Sequence, residues 1–144
     1  MKSKRLTVSL ALVLVTESLL GYPNQAQALV KAVHFQCRPE LPNKYWTAQM
    51  GKTYAHFILP QYKWNTPQQY SALIKLWTAE SHWDSLAYNP VRSNHMNAGG
   101  IPQILGMSTH TPAPLQIARG LSYIKRRYGT PIIAWRHHRT HGWY

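Results

Sequence analysis

Residues 66–83 read TPQQYSALIKLWTAESHW and carry the strongest helix signal in the chain. Thr66 and Gln69 form a capping box, with a proline between them at the first helical position. Apolar side chains then recur at helical spacing on one face, at Leu73, Ile74, Leu76 and Trp77. The pattern predicts an amphipathic helix that ends at Ser81 or His82.

Glu80 lies on the apolar face of this predicted helix. At about 100° per residue it falls between Leu73 and Leu76, where a carboxylate is costly. Burial disfavours the ionised form and raises the pKa, which is how a general acid that works near neutral pH is made. On position alone, a partly exposed residue at the helix boundary, or a glutamate paired with one of the many cations, is an equally good interpretation.

Two further helices are predicted towards the C-terminus. The first runs from about Pro114 to Tyr128, because apolar residues recur at spacings of four, three and four: Ile117, Leu121, Ile124 and Tyr128. Three cations crowd its last turn, where they interact favourably with the helix dipole, and Gly129 is a natural stop. The second is short and covers Pro131 to about His138.

The other segments show no strand pattern. Residues 91–100 are polar and end in two glycines, which predicts a loop. Residues 29–64 have no clear period, and within them residues 54–59 are compatible with a short strand or an ordered turn. The predicted fold class is therefore mainly α.

The N-terminus has the pattern of a secretory signal peptide. A basic head is followed by a mainly apolar stretch of ten residues at 6–15 and by the sequence Ala-Gln-Ala at 26–28. We expect cleavage before Leu29, secretion and no transmembrane anchor afterwards, with a retained N-terminal anchor as the alternative. The predicted organisation is a signal peptide at 1–28, an N-terminal extension at 29–64 and one domain at 65–144.

The expected mature chain is strongly basic. Loss of Lys2, Lys4, Arg5 and Glu17 takes sixteen basic and four acidic side chains to thirteen and three, a net charge of +10. Outside the cell this favours a polyanionic partner, such as wall polymers, anionic lipid or nucleic acid. A solvated basic surface without a specific partner is the alternative.

The cysteine and histidine residues predict neither an internal disulfide nor a metal site. Cys37 is the only cysteine, so an internal disulfide is impossible. His137 and His141 have the i, i+4 spacing of a metal pair, but no suitable third ligand is close in sequence. We predict neither a metal site nor a cofactor.

Four segments together point to one family. They are WTAESHWD at 77–84, GIPQ at 100–103, GLSYIKRRYGTP at 120–131, and the stretch from Ala134-Trp135 to Gly142-Trp143-Tyr144. In this order and spacing they resemble the soluble lytic transglycosylase domain of the lysozyme-like superfamily, and most of all its small secreted Gram-positive forms. The resemblance covers about residues 66–144 and implies a lysozyme-like single domain with a short N-terminal extension.

The resemblance implies a catalytic role for Glu80, as the acid, and a substrate-binding role for five other residues: Ser81, Gly100, Gln103, Trp135 and Tyr144. Gly100 and Gln103 would line the glycan cleft, and Ser81 would support both the acid and the substrate. The chain departs from the family where Trp135-Arg136 replaces a Tyr-Asn pair. A hydrogen bond from that position to the catalytic acid is therefore in question.

The implied activity is cleavage of the MurNAc–GlcNAc β-1,4 bond of peptidoglycan to give 1,6-anhydro-muramyl ends. This reaction needs one acid, which suits a chain with three carboxylates, whereas hydrolytic glycosidases use two. The alternatives are a muramidase in which Asp84 assists, and a non-catalytic basic wall-binding module. Expected partners are glycan strands and anionic wall polymers, with no obligate nucleic acid, and the protein is expected to be a monomer.

Overall fold

The computed structural model describes residues 40–144, which are mainly helical with one small antiparallel sheet. The predicted signal peptide and Cys37 lie outside this range. The four α-helices of the described part are α1 (Ala48–Ile58), α2 (Pro67–Ser81), α3 (Ala113–Tyr128) and α4 (Pro131–His141). The strands are β1 (Tyr88–Ser93), β2 (Met96–Gly99) and β3 (Ile104–Leu105), and 3-10 turns cover Asn43–Tyr45 and Leu59–Tyr62.

Helix α2 begins and ends as predicted, but its capping box is only half formed. The hydroxyl of Thr66 accepts a hydrogen bond from the backbone N–H of Gln69 at 3.4 Å. In a complete capping box the side chain of Gln69 would bond back to the backbone N–H of Thr66. Instead, its side-chain oxygen accepts from the backbone N–H of Ile132 at 3.2 Å. A side chain predicted to close the helix start thus ties the first turn of α4 to the first turn of α2.

Helix α1 corrects the prediction of a short strand or turn at residues 54–59. The hydroxyl of Thr47 caps it by accepting from the backbone N–H of Met50 at 3.2 Å. Its buried positions are Gly51, Ala55 and Ile58, at helical spacing. The sequence does not show this helical period clearly, because two of the three residues have small side chains that contribute little to a hydrophobic pattern.

Part of the predicted extension belongs to the main core. Five of its side chains lie in the same buried cluster as α2, α3 and α4: Trp46, Ala55, Ile58, Leu59 and Trp64. The cluster includes the fully buried Trp77 and the buried face of α3. In packing, residues 46–64 are therefore continuous with residues 65–144.

The loop predicted at residues 91–100 is mostly a β-hairpin, which is a second correction. Strands β1 and β2 pair antiparallel, and β3 pairs with β2. The reversal falls at Asn94 and His95, whose positive φ angles of 50° and 63° suit the tight turns of hairpins. Every residue of β1 is exposed, so the sequence contains no apolar–polar alternation to reveal it.

Helices α3 and α4 confirm the two C-terminal predictions, with α4 continuing three residues beyond His138. Helices α2 and α4 run in the same general direction. Their starts meet at the bond between Gln69 and Ile132, and their ends meet where Glu80 contacts His138. Within residues 40–144, no helix combines the length and the apolar character needed to cross a bilayer.

Candidate active site

Glu80 stands one residue before the end of α2, with its side chain 15% exposed. Burial raises the pKa of its carboxyl from 4.5 to about 7. The C-terminal end of a helix dipole also disfavours a negative charge. A carboxyl in this setting is partly protonated at neutral pH and still reachable from solvent, as a proton donor to a substrate must be.

His138 on α4 is the partner of this carboxyl. Its Nδ1 lies 2.9 Å from Oε1 of Glu80, and its side chain is 16% exposed. Burial, and then the neighbouring His137, lower the pKa of His138 below its usual 6.5. An ion pair would lower the pKa of Glu80 and raise that of His138, and the observed shifts are the reverse of both. Near neutral pH the contact is therefore a hydrogen bond between a mainly uncharged imidazole and a carboxyl that carries its proton part of the time.

Trp135 holds the histidine ring in place. It lies one turn before His138 on α4, and the two rings stack with centroids 5.5 Å apart and an angle of 14°. The resemblance left a hydrogen bond from position 135 to Glu80 in question. In the structure that bond comes from His138, one helical turn further along, and Trp135 acts on Glu80 through it.

Ser81 is buried and joins the end of α2 to the turn at residues 100–103. Its hydroxyl donates to the carbonyl of Ile101 at 2.7 Å and accepts from the backbone N–H of Trp83 at 3.1 Å. The predicted role in supporting the acid is consistent with this, because Ser81 fixes the backbone beside Glu80. The predicted direct contact with substrate disagrees with its burial.

The turn at residues 100–103 is held by backbone geometry. Gly100 has a φ of +67°, and a Cβ there would lie 2.4 Å from Oε1 of Gln116, so only glycine fits. Gln103 has a φ of +47°, and its Nε2 donates to the carbonyls of Gly100 at 2.9 Å and Ala87 at 3.2 Å. The amide nitrogen of Gln103 therefore stabilises the turn itself.

Gln116 is a supporting residue that the sequence analysis missed. It is fully buried; its side-chain oxygen accepts from the backbone N–H of Ile101 at 2.9 Å. Its Nε2 donates to the carbonyls of Ser85 at 3.0 Å and Thr111 at 2.7 Å. The sequence could have indicated that Gln116 is buried. It lies four residues before Gly120, which lies four before Ile124, so all three share the apolar face of α3.

Tyr144 corrects a prediction. It was expected to bind substrate, yet it is only 8% exposed. Its hydroxyl accepts from Nε1 of Trp77 at 2.8 Å and donates to the carbonyl of Pro102 at 2.6 Å. Burial, and then the nearby charge of Glu80, raise the pKa of Tyr144 well above 10. The ring thus forms part of the buried support close to Glu80 and offers no face to a glycan.

The other acidic side chains of residues 40–144 lie in different surroundings. Asp84 is exposed, and its Oδ1 accepts from the backbone N–H of Leu86 at 2.8 Å, which stabilises the local turn. Glu40 is also exposed. Glu80 is therefore the one partly buried carboxylate among these residues.

The histidines considered for metal binding form part of an aromatic cluster. His137 and His141 stack with centroids 4.1 Å apart, and both contact Trp143. Each Nδ1 lies about 3 Å from a backbone carbonyl. Among residues 40–144, no group of three or more His, Cys, Asp or Glu side chains is arranged to hold a metal ion.

Comparisons with known proteins identify no relative of the chain. No protein family, no curated protein and no solved structure is significantly similar to the chain. The chemistry of the site therefore rests on its own geometry.

Proposed function

We propose that the protein is a secreted peptidoglycan lytic transglycosylase with a lysozyme-like fold, in which Glu80 is the catalytic acid. The observation that carries the proposal is the partly buried Glu80 carboxyl, with its pKa near 7 and a hydrogen bond to His138. A general acid and base works best when its pKa lies near the working pH. The fold assignment rests on the motif resemblance and on the mainly helical architecture.

In the proposed reaction, Glu80 gives its proton to the glycosidic oxygen as the bond between C1 of the muramyl residue and that oxygen breaks. The C6 hydroxyl of the same muramyl residue attacks C1, and its proton passes to the Glu80 carboxylate. One bond to C1 is exchanged for another, and no water is consumed. The acid returns to its starting protonation state at the end of each cycle.

His138 suits a carboxyl that must exist in both protonation states. When Glu80 carries its proton, the unprotonated Nδ1 of His138 can accept it in a hydrogen bond. When Glu80 is ionised, a protonated Nδ1 can donate to the carboxylate, as the other tautomer or as imidazolium. The stacked Trp135 keeps the ring in reach in either case.

A one-carboxylate reaction fits the surroundings better than hydrolysis does. Hydrolytic glycosidases place a second carboxylate about 5–9.5 Å from the acid, as nucleophile or as base for water. Asp84, the nearest in sequence, is exposed and already accepts a backbone hydrogen bond. An internal hydroxyl as the attacking group makes a second carboxylate unnecessary.

The proposed setting is the cell wall, with glycan strands as substrate and anionic wall polymers as additional ligands. The expected net charge of +10 supports binding to a polyanionic surface without an obligate nucleic acid. We propose that the protein acts as a monomer and needs no cofactor for the reaction above.

The test is mass spectrometry of the muropeptides released from purified peptidoglycan by the mature protein. Transglycosylation gives 1,6-anhydro-muramyl ends, which are lighter by one water than hydrolytic ends. Glu80→Gln should slow release by about 10²–10⁴, while Asp84→Asn should keep most of it. Reducing ends, together with an inactive Asp84→Asn, would identify a muramidase, and wall binding without release by the wild type would identify a binding module.

A further inference from the structure

A groove of about 480 Å³ lies between α2 and α4, beside the candidate active site. One wall comes from a single face of α2, where residues 68, 71, 72 and 75 follow helical spacing. The other wall comes from residues 132, 135, 136 and 139 of α4, with the same spacing. The volume is in the range of sites that take a small molecule or a short stretch of a polymer.

Three cations line this groove and no carboxylate does. Lys75 stands on α2, and Arg136 and Arg139 stand one turn apart on α4. All three are exposed, and none forms an ion pair with an acidic side chain of residues 40–144. Their charges therefore add to one positive potential at the groove instead of being neutralised locally.

The ends of the helices strengthen this potential. Because α2 and α4 run in the same general direction, both N-termini lie at the same end of the groove, beside Pro67 and Ile132. A helix N-terminus carries about half a positive charge. Positive charge is thus present at the helix starts and along both walls.

We propose that the α2–α4 groove binds phosphate groups of a polyanion, such as a phosphodiester wall polymer. A phosphate presents oxygens on several sides, so Lys75 on one wall and the two arginines on the other can contact it together. The planar guanidinium fork is well matched to phosphate oxygens, and an ammonium serves as a point charge beside it. A carboxylate, with two oxygens in one plane, is less suited to being held from two walls.

The groove is next to the candidate active site but chemically separate from it. Trp135 belongs to both, because it lines the groove and stacks on His138, the partner of Glu80. The three cations are not part of the hydrogen bonds that hold Glu80. Binding of a polyanion would hold the protein on the wall beside its proposed substrate, and this proposal rests on the wall setting and the anionic ligands of the proposed function, but not on the chemistry of Glu80.

The experiment is calorimetric titration of a synthetic poly(glycerol phosphate) oligomer into the mature protein, over a series of salt concentrations. The groove variant replaces Lys75, Arg136 and Arg139 by glutamine. A charge-matched control replaces three exposed arginines elsewhere, Arg92, Arg119 and Arg126. The circular dichroism melting curve of each variant checks that it is folded.

We expect the groove variant to bind at least about tenfold more weakly and the control to change by less than about threefold. The slope of log K against log salt should flatten by about 2 in the groove variant, since each phosphate contact contributes roughly 0.7. In the wild type, the indole N–H resonance of Trp135 should shift on titration. Cleavage of a soluble glycan oligomer, measured in parallel, reports on Glu80 separately.

Three results would overturn the proposal. Equal weakening in both variants would mean that only overall charge matters. Equal affinity for poly-glutamate would remove the preference for phosphate. A Trp135 resonance that stays fixed while the oligomer binds would place the bound polymer elsewhere on the protein.

Discussion

Glu80→Gln should make the folded protein more stable at pH 8, although the same change removes the proposed catalytic proton. The pKa of this carboxyl is about 7 in the folded protein and 4.5 without burial. Below pH 4.5 the carboxyl is protonated in both the folded and the unfolded protein, so its ionisation does not lower the free energy of unfolding. As the pH rises through 7, the unfolded chain releases its proton first, so ionisation progressively favours unfolding.

The magnitude follows from the two pKa values. At 1.36 kcal/mol per pH unit, a change from 4.5 to about 7 corresponds to about 3 kcal/mol at pH 8. The side chain is 15% exposed, so solvent screening reduces this to about 1–2 kcal/mol. Glutamine keeps the shape, can still hydrogen-bond His138 and never ionises, so the variant should recover this amount at pH 8 and nothing at pH 4.

Urea unfolding at pH 4 and pH 8 measures the effect, with an expected rise in the midpoint of about 1 M at pH 8. Asp84→Asn is the matched control, because it removes an exposed carboxylate nearby and keeps an oxygen for the bond to Leu86. His138 has the opposite pH dependence: its lowered pKa removes stability only as the pH falls, so it takes nothing from the stability of either protein at pH 8. A variant that is destabilised at pH 8, or changed equally at both pH values, would refute a buried carboxyl with a raised pKa.

Three further substitutions test the support of the site. Gly100→Ala should lower the free energy of unfolding by about 2–4 kcal/mol, because its φ is +67° and the new Cβ collides with a buried glutamine; urea unfolding measures this, and an unchanged midpoint would contradict it. Tyr144→Phe should cost about 2 kcal/mol in the same assay, because it leaves the indole N–H of Trp77 without its acceptor, and a neutral result would mean that water replaces the hydroxyl. His138→Phe should slow the reaction about tenfold and move the alkaline limb of the pH–rate profile to higher pH, because the ionised Glu80 loses a donor; an unchanged profile would remove His138 from the mechanism.

The helices that the sequence predicted are those with large side chains on the buried face. Leu73, Leu76 and Trp77 make the period of α2 visible, and α3 repeats it with isoleucine and leucine. Helix α1 was missed because Gly51 and Ala55 occupy its buried positions. The sequence did not predict the hairpin because every residue of its first strand is exposed. The strands pair through backbone hydrogen bonds, which do not require an alternation of apolar and polar side chains.

The residues of the candidate site also differ in how well the sequence predicts their surroundings. The partial burial of Glu80 could be predicted because its cause is local: fifteen residues of sequence are enough to place this carboxylate on an apolar helix face. His138 could not, because its partner is 58 residues away and nothing near position 138 distinguishes it from its neighbours. The burial of Tyr144 depends equally on distant groups, since its hydroxyl joins residues 42 and 67 positions earlier in the chain.

Helix α4 contributes His138, the partner of the proposed catalytic acid, but few buried side chains. Only Pro131 and Ala134 of its eleven residues are buried, whereas α2 and α3 bury five and six. Segments that bury few side chains open locally at a lower free energy than the global unfolding transition requires. Detachment of α4 would separate His138 from Glu80 while α1, α2 and α3 remain packed, so on warming, the proposed cleavage activity would disappear before the cooperative loss of helical signal.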